Sequence, residues 1–506
     1  MKNGKQARLD CLAFKNIILT TINAKWIHPS LALRLLKANL GSLEDSCEII
    51  EFALRQPLSE KLDQLRGVFK NDLDNGKPGA ACSGSRRTGI LGISVSIWNH
   101  TATIELLKEL EKSWSVWQIE KPIIVLGGPE VTHLPPAAEI FNYADYVIRG
   151  EGEAAFKSLC EYLLDNKNLS RAAEKFISEQ NVNLTEIKTA YHLYTDEDIS
   201  KKLIYVESSR GCPFGCEFCM SAEDNKVREF PLEKFLAEMD ILIQRGVKTF
   251  KFLDRSFNTN IKRALQIINF FLDKIEQLSA PPRLCESSSP FTVHFEMVPS
   301  VFPAELREAL ARFPPGTLRL EIGIQTLNEE TAARIGRHSN PEKELEALRF
   351  LREKTNAIIH ADLIAGLPGE DLASFGSGFD RLWDAVFDDR RIVNPSEIQL
   401  GILKLLPGAP ISRHNEVYNM RYNPLPPYEV EETLNISAVD LGRIKNFARF
   451  WELIVNRGLL TMTKKPIFEK FMTLSDNLFA YFGKNWGIDR EKLKNKAVTC
   501  INSLVF

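Results

Sequence analysis

Glu207-Ser-Ser-Arg-Gly-Cys212-Pro-Phe-Gly-Cys216-Glu-Phe-Cys219 gathers three of the nine cysteines into eight residues. The spacing is CxxxCxxC, directly after the apolar run Leu203–Glu207, which reads as a strand. Three thiolates on one short loop can ligate one metal centre. Gly211 and Gly215 let the loop curl so that the sulfurs converge, and Arg210 offsets part of their negative charge. Three ligands leave one position open for a small molecule. A structural zinc site is a competing reading, but closed zinc sites usually take four ligands. The nearest further candidates, His192 and Cys285, are distant in sequence. Three unligated buried thiols are a second alternative; an iron–sulfur cluster fits the set better. The remaining cysteines, at 11, 47, 82, 160, 285 and 500, are scattered and form no secreted disulfide framework.

Outward from this loop, strand and helix patterns alternate. Candidate strands are Leu203–Glu207, Thr249–Leu253, Thr292–Met297, Leu318–Gln325, Ile358–Ile364 and Glu397–Leu403, with helices such as Leu232–Gln244, Arg263–Gln277 and Pro341–Lys354 between them. Six such units over 203–408 predict a partial (β/α)6 TIM-like barrel with its chemistry at the C-terminal mouth. Upstream, Asn16–Thr21, Cys47–Phe52, Ile90–Ile97, Ile123–Leu126 and Tyr143–Ile148 alternate with helical patterns, among them Leu31, Leu35, Leu36 and Leu40 on one face. This predicts a Rossmann-like parallel sheet domain over 1–165, with ligands beyond the C-terminal strand ends. Residues 71–89 read as an exposed loop and 166–202 as a polar linker with one helix. After prolines crowd Asn423–Tyr428, helical patterns dominate, so 409–506 is expected to be a mostly helical C-terminal domain. The fold class is α/β.

Composition sets the outer bounds. The 506 residues are 44% hydrophobic and 26% charged, a globular balance that excludes a mainly disordered or fibrous chain. Lys and Arg number 64 against 66 Asp and Glu, a net charge of −2. That gives no electrostatic argument for nucleic acid or an anionic membrane. No apolar stretch is long enough to cross a bilayer, and the N-terminal segment lacks the pattern of a secretory signal. A soluble cytoplasmic protein is expected.

The CxxxCxxC loop, with an aromatic before its last cysteine and after the first strand of a six-unit barrel, resembles the radical SAM (S-adenosylmethionine) superfamily. The resemblance covers roughly 203–408. It implies a [4Fe–4S] cluster on Cys212, Cys216 and Cys219, whose open iron binds the amino and carboxylate groups of SAM. It also implies an external electron donor of flavodoxin or ferredoxin type and reductive cleavage of SAM to a 5′-deoxyadenosyl radical. Asp254, in Lys251-Phe-Leu-Asp254-Arg255-Ser-Phe-Asn258, stands where the family contacts the SAM amino group; a capping acid is the alternative. Glu321 and Gln325 lie on the fourth strand, where the family meets the SAM ribose, and Glu296 ends the third. A structural ion pair is the alternative for either glutamate. Asp362-Leu-Ile364-Ala-Gly366-Leu-Pro-Gly369-Glu370 resembles the fifth-strand adenine motif, with Ile364 and Gly366 at its contact positions. It departs from that motif in carrying Asp362 at the first glycine and its acid one residue late.

Gly127-Gly128-Pro129-Glu130 and Gly150-Glu151-Gly152-Glu153 each follow a strand. In this order, ahead of such a barrel, they resemble the cobalamin-binding domain fused to many radical SAM proteins, over roughly 16–165. Glycines let backbone approach a large flat macrocycle. Asn23, Ser96, Trp98, Asn99 and Thr132 sit just past strand ends and are candidates to contact corrin; core packing is the alternative for Trp98, and a helix N-terminal role for Glu151. No DxHxxG motif occurs, so no lower-face histidine is expected from this domain. The segments from Asn23 to Arg34, IHADLIAGLPGE, IQLGILKLLPG and PPYEV together resemble one subfamily with a C-terminal domain of unassigned function.

The resemblance implies a cobalamin-dependent radical SAM enzyme, above all a C-methyltransferase acting on an unactivated carbon of a small-molecule or peptide substrate. Cyclisation or ring rearrangement is the alternative within the family. A tRNA methylthiotransferase would add a second cluster on Cys11, Cys47 and Cys82. A metal-stabilised binding module is the non-enzyme alternative.

Overall fold

The computed structural model describes residues 17–74, 89–164, 174–179, 181–223, 225–279, 290–387, 396–460 and 467–503. The chain divides into two compact units, residues 1–206 with 238–247, and residues 207–237 with 248–506. Cys11, Cys82 and Cys285 lie outside the described residues, as does most of the 71–89 loop.

The first unit is built on six parallel strands: β1 (Ile17–Asn23), β2 (Cys47–Ala53), β3 (Ile90–Ser94), β4 (Ile123–Gly127), β5 (Tyr146–Gly150) and β6 (Phe176–Glu179). Their order is β2-β1-β3-β4-β5-β6. All seven residues of β1 are buried. That matches its apolar, β-branched sequence, because a central parallel strand is covered on both faces. Ile18, Ile22, Leu91 and Leu126 pack into one core with the helix His100–Trp117. Ile17, Leu19, Val125 and Ile148 pack into another with Leu33, Phe156 and Leu159. Ser30 caps the helix Leu31–Ala38 by accepting from the Leu33 N–H.

The expected linker contributes more than one helix. Phe176–Glu179 is the sixth strand, paired with β5 through Val147 and Phe176. A four-residue edge strand needs one partner and one apolar face, so it leaves little periodicity to read. The short helix Asp196–Lys201 is tied in by a buried ion pair between Arg34 and Asp198 at 2.8 Å. Arg34 also pairs with Glu51 at 2.8 Å.

The second sheet runs, in spatial order, β12-β11-β10-β9-β8-β7, all parallel where paired. Its strands are β7 (Ile204–Val206), β8 (Thr249–Phe252), β9 (Thr292–Met297), β10 (Leu318–Gln325), β11 (Ile358–Ala365) and β12 (Glu397–Ile402). The order is sequential and open, as a partial barrel requires. Burial alternates strictly along β10 and β11. The apolar residues face the surrounding helices. The other face carries His294, Glu296, Arg319, Glu321, His360 and Asp362, a polar interior rather than an aliphatic one.

The residues beyond 408 share one compact unit with the barrel. The helices Ala438–Trp451 and Ile467–Phe482 pack on the barrel helix Leu372–Val386 through Phe379, Phe447, Trp451, Phe468 and Phe471. Gly376 allows this: a Cβ there would meet the Phe468 ring at 2.5 Å. Trp451 is fully buried in this aromatic core.

Candidate active site

The cysteine loop starts from a buried anchor. Asp254, just past β8, accepts from the Ser208 N–H at 2.9 Å and from the Ser208 and Ser209 hydroxyls at 2.6 Å each. Burial pushes its carboxyl up, and the three donors hold it back. Its oxygens are thus spent on the entry to the loop, the structural alternative raised for it. It does not line the cavity described below. Gly211 then turns with a φ of 90°, and the Cys219 N–H donates to the Cys216 carbonyl at 3.0 Å.

All three cysteines are half-buried, and none is in a disulfide. They line one cavity of about 240 Å³ together with Glu296, Glu321, Gln325, Arg337, His338 and Asp362. Burial raises the Cys216 thiol, Arg337 draws it back by charge and hydrogen bonding, and the Cys212 and Cys219 sulfurs oppose its ionisation further. Among the described residues no group of His, Cys, Asp and Glu gathers tightly enough for a single metal ion. Thiolates around a shared cavity suit a cluster several ångströms across, and the donor set fits one.

The cavity floor is strongly charged. Glu321 Oε2 lies 3.3 Å from His294 Nε2 and 3.2 Å from Lys251 Nζ. These partners hold its carboxyl down at about 2, with the histidine contributing most. Glu296, opposite it in register, is pushed up to about 7 by burial, although Arg255 at 3.7 Å opposes this. Asp362 is raised well above the usual carboxylate range by burial and by Glu321 and Glu296. Its Oδ1 is buried without a hydrogen-bond partner. Gln325 ends β10 with a φ of 68°. A Cβ at Gly323 would meet its Nε2 at 2.3 Å, so the glycine makes room for that amide.

Of the expected barrel positions, the cavity brings together the three cysteines, Glu296, Glu321 and Gln325. Ile364 and Gly366, at and beyond the end of β11, are not in its lining. Gly366 has a φ of 86°, and a Cβ there would meet Val430 at 2.5 Å. Arg337, His338 and Arg255 also line the cavity, although no sequence motif marks them. Asp362 stands out in the sequence only as a departure from a motif.

In the first unit the expected positions also separate. Gly128 turns with a φ of 102°, and a Cβ there would lie 2.5 Å from the Val95 carbonyl oxygen and 2.8 Å from its nitrogen. The chain thus passes flush against β3 at the sheet's C-terminal end, with Pro129 following in the helical turn Pro129–Thr132. Thr132 donates to the Gly128 carbonyl at 3.0 Å and accepts from the Gly150 N–H at 3.3 Å. Gly127 closes β4, and Gly150 closes β5. Trp98 is 52% exposed, and Trp26 and Leu54 are exposed past the ends of β1 and β2. This open apolar rim at glycine-lined strand ends fits a large flat ligand.

Asn99 is placed otherwise. It is fully buried; its Oδ1 accepts from the Ser96 N–H at 2.8 Å, and its Nδ2 donates to the Ile22 carbonyl at 3.0 Å. Its amide holds the turn after β3 and is buried away from the surface. Ser96 is buried beside it. Glu130 is buried against His100 at 2.8 Å. Asn23 donates to Glu51 at 3.0 Å, and Glu151 accepts from the Val182 N–H at 2.8 Å. Several polar residues of this rim therefore support its turns.

Residues 206–380 match the radical SAM superfamily. The chain is 32% identical over 167 residues to an uncharacterized methyltransferase, PH0819, of Pyrococcus horikoshii, covering 29% of this chain and 36% of that protein. It is 23% identical over 362 residues to the cobalamin-dependent radical SAM methyltransferase TokK of Streptomyces tokunonensis, covering 66% of this chain and 50% of that one. The chain thus spans at most half the length of these curated relatives. Among solved structures it is similar to the cobalamin-dependent S-adenosylmethionine radical enzyme OxsB, with a TM-score of 0.66, 14% identity and coverage of 99% of this chain and 81% of that one. No described helix is long and apolar enough to cross a membrane. The chain therefore carries a radical SAM domain, within a fold shared with cobalamin-dependent S-adenosylmethionine radical enzymes.

Proposed function

We infer that this protein is a cobalamin-dependent radical SAM enzyme that methylates an unactivated carbon. The observation that carries this reading is the single cavity lined by Cys212, Cys216 and Cys219 and floored by Glu296, Glu321 and Gln325, inside the radical SAM domain. Cys212, Cys216 and Cys219 would hold a [4Fe–4S] cluster, which when bound would supply the electron for reductive cleavage of SAM, and a bound cobalamin would supply the methyl group. The likeness to methyltransferases such as TokK favours methyl transfer over cyclisation.

The chain's own residues bind and orient. Glu321, kept ionised by His294 and Lys251, offers a fixed acceptor to a hydroxyl or cationic group. Gln325 offers an amide at the strand end. Phe214 and Phe218 line the same cavity as the cysteines and limit water around them. In the first unit, Gly128 and Gly150 let backbone lie close to a macrocycle, and Trp98 offers it an aromatic face.

A methylthiotransferase reading needs a second cluster in the N-terminal region. Cys47 is 1% exposed, packed in the core at the N-terminal end of β2, away from the ligand-binding strand ends. That position favours a single cluster. Anaerobic reconstitution tests the proposal: corrinoid should bind, and SAM should be cleaved to 5′-deoxyadenosine. Corrinoid binding without reductive SAM cleavage under any substrate would refute it.

A further inference from the structure

Glu217 stands between two of the loop cysteines in sequence, yet it is not among the residues lining their cavity. It is buried, and its carboxylate is fully engaged elsewhere. Arg413 Nε donates to Oε2 at 2.9 Å, Arg413 Nη2 donates to Oε1, and His414 Nε2 lies 2.8 Å from Oε2. The main chain at Glu217 is held on both sides. Its N–H donates to the Ile335 carbonyl at 3.0 Å, and its carbonyl accepts from the Ile411 N–H at 2.9 Å. Next to it, a Cβ at Gly336 would meet the Gly215 carbonyl oxygen at 2.8 Å, so the loop also lies flush against that turn.

The donors belong to Pro410–His414, a short turn beyond the last barrel strand. The same segment reaches a second part of the mouth. The His414 ring lies 5.9 Å from that of Tyr418, and the Arg334 guanidinium lies 5.0 Å over Tyr418. Arg334 in turn donates to the Pro368 carbonyl at 2.8 Å, in the turn after β11. One stretch of chain thus grips the cysteine loop and braces the fifth-strand turn.

We propose that Glu217 is a positioning residue for the cysteine loop, clamped by Arg413 and His414. The segment after the barrel thereby helps set the geometry with which the three cysteines hold their group. The inference rests on the cluster assignment above. Its physical basis is that groups behind a ligand orient it, and their loss typically weakens metal binding by about 10- to 100-fold. The Arg–carboxylate fork adds direction as well as attraction. Arg413 is 64% exposed on its side chain, so removing it leaves the core intact.

The test uses the full chain reconstituted anaerobically with iron and sulfide. Arg413→Gln and the double variant Arg413→Gln/His414→Phe are compared with Arg443→Gln, which breaks an ion pair to Asp476 between two C-terminal helices. The readouts are the rate of iron loss to a chelator and the EPR line shape of the reduced cluster. The double variant should lose iron about tenfold faster with an altered line shape. Arg413→Gln should show a smaller change of the same kind, Arg413→Lys should recover part of it, and Arg443→Gln should match the wild type. Iron loss within about twofold of wild type and a superimposable spectrum in the double variant would overturn the clamp alone. A wild-type chain that takes up no cluster would overturn the assignment beneath it as well.

Discussion

Strands β1–β6 and strands β7–β12 form two six-stranded parallel sheets, but they differ in what their faces carry. The first sheet is buried in apolar cores on both sides, so only its C-terminal rim is left for a ligand. The second has one apolar face and one charged interior face, with Lys251, His294, Glu321 and Asp362 along its strands. A flat sheet offers chemistry at its edge, whereas a curved, open one offers it along the strands. The first sheet therefore depends on close backbone approach at glycines, the second on side-chain electrostatics.

The largest expected effect breaks the first half of that comparison. Gly128→Ala forces a side chain to a φ of 102° against the Val95 backbone, which cannot yield as a side chain would. It should cost at least about 3 kcal/mol and abolish corrinoid binding, read by thermal unfolding and by absorption titration. In the second unit, Gly336→Ala, at a φ of 67° against the Gly215 carbonyl, should cost about 2 kcal/mol and lower iron uptake while leaving corrinoid binding intact.

Electrostatics of the interior give a pH signature that the first sheet should lack. Glu296 keeps its proton in the folded chain up to about 7, while its ordinary value is 4.5. The unfolded chain therefore releases that proton first, and stability falls as pH rises from 4.5 to about 7. Glu296→Gln should remove about 2 kcal/mol of this pH dependence, measured by unfolding the cofactor-free chain at pH 5 and pH 8. Glu321 has the opposite sign. Its stabilisation is complete above the ordinary value and is lost only as pH falls towards about 2.

A smaller contrast lies within one turn of the first sheet. Asn99→Ala should destabilise the fold by about 2 kcal/mol, because it orphans the buried Ser96 N–H and Ile22 carbonyl. Trp98→Ala, next to it but exposed, should leave the melting temperature unchanged and weaken corrinoid binding about tenfold.

How much was legible in sequence follows the same division. Cys212, Cys216 and Cys219 could be read because their sulfurs are neighbours along the chain, and the alternating strands placed them at a barrel mouth. Arg337 and His338 could not, because they reach the cavity only through a turn that follows the short helix Glu329–Arg334. Asp362 joins Glu296 and Glu321 through strand register, which a linear reading does not supply. The glycine turns were visible, but whether a nearby Asn or Glu faces a ligand or the backbone depends on hydrogen bonds such as those of Asn99 and Glu130. The C-terminal helices were visible as helices. Their shared aromatic core with the barrel was not, because Phe379 and Phe468 meet only in three dimensions.

The most direct test of the central claim is anaerobic reconstitution followed by iron, zinc and 5′-deoxyadenosine analysis, with Cys216→Ala alongside. The account predicts about four irons per wild-type chain, SAM-dependent release of 5′-deoxyadenosine, and loss of both in the variant. One zinc per chain, no iron–sulfur absorption and no 5′-deoxyadenosine would contradict it.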